Sequence, residues 1–124
     1  MTALMRRNQR AMHHAREYLA IHDRLSFSVL TVYEVLRGLK SREATSQLAQ
    51  FNEVFAGSEI FDVTPAIAEV AATIHAGLEK QGRLIGHADI LIAATALVEG
   101  CQLATNNIRH FDRIDGLVIA NWLV

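Results

Sequence analysis

At 124 residues with a formal net charge of −1, the chain has room for one domain, since domains cluster near ~100–150 residues. A hydrophobic fraction of 51% and a charged fraction of 20% supply enough apolar surface for a core and exclude a disordered chain. One cysteine, Cys101, excludes an internal disulfide and fits a reducing compartment.

The start is basic (Arg6, Arg7, Arg10) but no apolar run follows it, so no leader is expected. The longest apolar stretch, 90–98, falls short of the ~20 residues of a membrane span. The chain is read as cytoplasmic, without a membrane partner. The near-neutral charge leaves any nucleic-acid contact to local basic patches.

In chain order, Met12, Ala15, Tyr18 and Leu19 recur at helical spacing and predict a surface helix over 9–22. Segment 25–31, LSFSVLT, is short, apolar and rich in β-formers, and predicts a buried strand. A helix over 32–40 follows, with Val32, Val35, Leu36 and Leu39 on one face and Gly38 ending or interrupting it. A second amphipathic helix over 42–56 carries Leu48, Phe51, Val54 and Phe55 and breaks at Gly57–Ser58.

Residues 59–64 predict another strand. Thr64 then offers an N-cap with Pro65 at the first helical position, opening a helix over 65–80 with Ile67, Val70, Ala71, Ile74 and Leu78 inward. Gly82 and Gly86 bracket a loop before a helix from His87 to Glu99. That helix is so apolar that it must be buried, and Gly100 is its stop. A strand over 101–105, a helical turn over 106–111 and a strand over 117–122 complete the chain. Strands alternating with helices imply an α/β fold, a parallel sheet covered on both faces. Such sheets bind ligands at the carboxyl ends of their strands.

Polar residues collect at that edge. Glu34 is expected in the first turn of the helix after strand 25–31. Asp89 opens the most hydrophobic helix, and Asn106 and Asn107 follow strand 101–105. Each has a plainer explanation, because acids complement helix N-termini and Asn is a common cap or turn residue. Their convergence favours a site. A carboxylate beside Ile90, Leu91 and Ile92 calls for a compensating cation. Mg²⁺ or Mn²⁺ takes carboxylate and amide oxygens and supports phosphodiester hydrolysis.

The segments SFSVLTVYEVLRGL, GRLIGHADILIAATAL and LATNNIRHFDRIDGLVIANW together resemble a PIN domain of the VapC type, the toxins of type II toxin–antitoxin pairs. The resemblance runs from about Leu4 onward, and IGHADILIAATAL is its most specific stretch. It implies a three-layer α/β/α fold with strand order 3-2-1-4-5. It further implies a Mg²⁺-dependent endoribonuclease, with Mn²⁺ as an alternative, acting on RNA such as tRNA. A cognate antitoxin and a homodimer are the implied partners. Glu34 and Asp89 match the family's metal-binding acids, and Asn107 its further metal-site position. These three form the expected catalytic set. Thr105 and Asn106 match polar residues lining the pocket, and Phe111 the apolar residue that packs the following turn.

The family's first acid, at the end of its first strand, finds no match. MTALMRRN resembles the small helix that follows that strand. The expectation is therefore an N-terminally incomplete PIN-like domain over 1–124 that lacks its central strand. Facing edges would be left unpaired, at ~1–3 kcal/mol for each buried orphan group. Two functions follow: the endoribonuclease toxin, or a catalytically inactive remnant that still binds the antitoxin. Arg37, Lys40 and Arg42, with Arg109 and Arg113, either face an RNA backbone or form solvated faces. Six scattered histidines lack the spacing of a zinc site, and Cys101 reads as a small buried hydrophobe.

Overall fold

The computed structural model describes residues 3–5, 25–105 and 108–120. Its strands are β1 (Ala3–Met5), β2 (Leu25–Ser28), β3 (Glu59–Phe61), β4 (Gln102–Ala104) and β5 (Ile119–Ala120). Its helices are α1 (Val29–Ser41), α2 (Thr45–Ala56), α3 (Pro65–Lys80), α4 (His87–Glu99) and α5 (Ile108–Phe111). All strand pairings are parallel, in the order β3-β2-β1-β4-β5. The predicted helix over 9–22 lies outside the described residues.

The centre of the sheet is filled, against expectation. Ala3–Met5 forms a strand rather than part of a helix, with Met5 opposite Phe27 on one side and Ala104 on the other. The physical reason is backbone satisfaction. Without β1, strands β2 and β4 would each bury a row of unpaired N–H and C=O groups, and three apolar residues are enough to pair with both.

Helices cover both faces. On one side Phe27 and Ala104 pack with Val35 and Leu39 of α1 and Phe55 of α2. The Phe27 and Phe55 rings meet edge to face at 4.9 Å and 86°, a favoured aromatic geometry. On the other, Leu103 packs with Ile92, Ala93 and Ala96 of α4, and with Phe111. α3 lies against α4 through Ile67, Ala71, Ile90 and Ala94.

Several boundaries differ from the sequence expectation. β2 ends at Ser28 rather than at residue 31, because Ser28 caps a helix: its Oγ accepts the Leu30 N–H at 3.2 Å. The cap draws β-branched Val29, Thr31 and Val32 into α1, which their modest helix penalty permits. Gly38 does not interrupt α1, which runs to Ser41, and Glu34 consequently sits in its second turn. α2 begins at Thr45 rather than 42, after Glu43 turns the chain at φ 54°. β3, β4 and β5 are shorter than expected, and residues 121–122 of the last predicted strand lie outside the described residues.

The strongest local signals hold. Thr64 Oγ1 accepts the Ile67 N–H at 3.2 Å with Pro65 in the first turn. Gly100 ends α4 at φ 68°, a left-handed conformation that favours glycine.

Two stability predictions follow. Phe27 is 0% exposed, so Phe27→Ala should cost about 3–5 kcal/mol in urea unfolding. Thr64→Ala should cost about 1 kcal/mol and Thr64→Ser should restore most of it, read by the same melts.

Candidate functional site

The carboxyl ends of β2 and β4 flank β1, and the chain leaves both toward the same edge of the sheet. From β2 it turns at Ser28 into α1. With about 100° per residue, Leu30, Thr31, Glu34, Val35 and Gly38 share the inward arc, while Tyr33, Arg37 and Lys40 share the outer one. Exposure agrees: Thr31 is 0% exposed and Val35 7%, whereas Tyr33 is 62% exposed. Glu34, on the inward arc, is half-buried. Its Oε1 is buried and has no hydrogen-bond partner.

Asp89 lies in the first turn of α4 and is 7% exposed, flanked by buried Ile90 and Ile92. The N-cap residue Gly86 brings no side chain to this helix end, so the carboxylate supplies the negative charge that the exposed N–H groups favour. His110 lies beside it, its Nδ1 3.5 Å from Asp89 Oδ2. α5 holds that imidazole in place through the neighbouring Phe111, which is fully buried.

Both acids border one helix contact. Leu30 of α1 packs against the α4 cluster of Ile92, Ala93 and Ala96. Glu34 is one turn beyond Leu30, and Asp89 is one turn before Ala93. Thr105, directly after β4, is 1% exposed and belongs to the same edge. Asn106 and Asn107 lie outside the described residues.

The basic residues divide. Arg37 is exposed, with its guanidinium 5.7 Å above the Tyr33 ring, and Arg109 is exposed on α5. Arg113 instead donates from Nη1 to the Arg83 carbonyl at 2.9 Å, tying its loop to the segment after α3. His75 and His87 stack at 5.6 Å and 8°.

Two residues escaped the sequence reading of the site. His110 had only its adjacency to Phe111 as a signal. Thr31 was assigned to a strand, and its place one turn before Glu34 emerges only once α1 begins at Val29.

Among the described residues no group of three or more His, Cys, Asp or Glu could hold a metal ion. The donors present are hard oxygens, and an orphaned, buried carboxylate oxygen at Glu34 suits a hydrated Mg²⁺ or Mn²⁺ in kind. As a set, Glu34 and Asp89 are sparse.

Comparison with known proteins places this arrangement. A profile described as the PIN domain matches residues 1–117. Ribonuclease VapC2 of Haemophilus influenzae is 38% identical over 101 residues, 81% of this chain and 76% of that protein. Ribonuclease VapC2 of Rickettsia felis is 31% identical over 107 residues, 86% of this chain and 80% of that protein. Among solved structures, DNA-bound VapBC from Salmonella typhimurium matches at a TM-score of 0.84 and 27% identity, covering 98% of this chain and 99% of that one. With its parallel sheet in the order 3-2-1-4-5 and these relatives, the chain belongs to the PIN-domain family and has VapC ribonucleases as its homologues.

Proposed function

We propose that this chain is the endoribonuclease toxin of a toxin–antitoxin pair, hydrolysing RNA phosphodiesters with Mg²⁺ or Mn²⁺. The observation that carries this reading is Asp89, a buried carboxylate at the sheet's carboxyl edge, beside a helix whose Glu34 has an unpartnered buried oxygen. The ribonuclease names of its relatives support the chemistry. A VapBC complex as structural neighbour supports an antitoxin partner, and a cytoplasmic location goes with this reading. A homodimer is part of the same reading.

Glu34 and Asp89 would hold the cation, with Asn107 as a further oxygen donor. When bound, the cation lowers the pKa of a water and offsets charge on the phosphate. The chain's own residues do the rest. Packing of α1 and α4 fixes the two carboxylates. Exposed Arg37 and Arg109 meet backbone phosphates on either side, Arg37 held by the Tyr33 ring. Thr105, buried directly after β4, and Asn106, by the family resemblance, are the substrate-side polar residues.

A second reading has its own support. β1 supplies the middle strand as Ala3, Leu4 and Met5, and Arg6, Arg7 and Asn8 follow. None is the acid that the family resemblance implies there. The backbone of the sheet is complete while one carboxylate is missing, as expected of an inactive remnant that still binds the antitoxin.

Incubation with bulk tRNA and a single-stranded RNA should give metal-dependent cleavage that EDTA abolishes. Asp89→Asn should lower both the rate and the apparent Mn²⁺ affinity at least about 10-fold. No cleavage at any Mn²⁺ concentration, with stoichiometric capture of the neighbouring antitoxin on gel filtration, would favour the remnant. Arg37→Ala and Arg109→Ala should each weaken RNA binding and flatten the log K against log salt slope by about 0.7.

A further inference from the structure

Among the described residues, the threonines inside helices, past the first residue, separate into two kinds. Thr73 and Thr95 each donate their hydroxyl to the carbonyl four residues earlier, at 3.2 and 2.7 Å, the usual way a helix satisfies this side chain. Thr31 does not. It is 0% exposed, and its Oγ1 is buried without a hydrogen-bond partner. The residue four before it is Phe27 of β2, on the far side of the strand-to-helix turn.

An orphaned buried hydroxyl is uncommon and asks for a partner, because native interiors satisfy such groups with protein or water. Valine has nearly the same shape, so packing alone does not explain a hydroxyl here. Glu34 lies three residues further along the same helix face, and its Oε1 is orphaned too. A carboxylate oxygen accepts only, whereas a hydroxyl oxygen accepts as well as donates. A water bound to a cation turns its lone pair to the metal and keeps both hydrogens free to donate. Thr31 Oγ1 and Glu34 Oε1 are two such acceptors, one helical turn apart.

We propose that Thr31 is a positioning residue of the Glu34 site, its hydroxyl holding a water of the bound cation's hydration shell together with Glu34. This rests on the metal-dependent reading given above. Hydrated Mg²⁺ and Mn²⁺ keep several waters when carboxylates bind them, and groups that orient such shells contribute to affinity without touching the metal. The geometry also explains why a hydroxyl is kept at a fully buried position that gains nothing from it in the metal-free state.

The test compares Thr31→Val, Thr31→Ala and Thr31→Ser with the unchanged chain and Asp89→Asn. Free Mn²⁺ is followed by electron paramagnetic resonance, and thermal melts are recorded with and without Mn²⁺. The Mn²⁺ Kd should rise about 10-fold in Thr31→Val, while its metal-free Tm stays level or rises, since a buried unpaired hydroxyl has been removed. Thr31→Ala should lose affinity in the same way, and Thr31→Ser should bind within about threefold of the unchanged chain while the hydroxyl-free variants do not. The proposal is overturned if the hydroxyl-free variants bind Mn²⁺ as the unchanged chain does, or if serine fails to rescue. If the unchanged chain binds no more Mn²⁺ than Asp89→Asn, the metal-dependent reading falls and Thr31 falls with it.

Discussion

The middle of a parallel sheet has to be paired on both sides, and in this molecule three residues meet that demand. Ala3–Met5 lies between β2 and β4 in register with each. The inner edges of both neighbours are thereby matched, with no water needed in the interior. The position of everything else at the carboxyl edge follows. β2 ends at Ser28 and β4 at Ala104, so α1 and the segment after β4 start from flanking positions. Leu30 of α1 packs against the cluster that holds Ile92 of α4, and Glu34 and Asp89 each lie about one turn along their helices from those residues.

Backbone and side chain make different demands on that central strand. Pairing needs only N–H and C=O groups at strand spacing, and Ala, Leu and Met supply these as well as any residues. Chemistry needs a particular side chain at the strand's end. Fold and function can therefore separate here. A sheet with its order intact coexists with a first strand that carries no carboxylate. Under the metal-dependent reading the cost would fall on the metal site, as one fewer negative charge, while the hydrogen-bonded ladder stays whole. The sequence expectation went wrong on this point by treating a missing acid as a missing strand.

What could be read in advance was local. Thr64–Pro65 and Gly100 act within one helical turn, and the burial of α4 follows from its own composition. Asp89 was conspicuous for the same reason, as an acid in an apolar helix. The start of α1 was hidden, because the β-branched run Val29, Thr31, Val32 pointed to a strand while a single hydroxyl at Ser28 decided for a helix. That error carried into the site. With α1 begun three residues late, Glu34 fell in the wrong turn and Thr31 was lost from its face. The pairing of His110 with Asp89 joins residues from α5 and α4, and no local pattern encodes it.

Asp89 shows how a buried acid can be accommodated at a helix start. The first-turn N–H groups of α4 offset its charge from one side, and the His110 imidazole lies 3.5 Å away on another. That separation is long for a charge-assisted hydrogen bond, which is typically ~2.7–2.9 Å. The His110 side chain also remains 43% exposed, against 10% for Asp89. Under the metal-dependent reading proposed above, a hydrated dication would bring more charge to the Asp89 carboxylate and water donors to the neighbouring helix. Glu34 Oε1 and Thr31 Oγ1 already lack partners there.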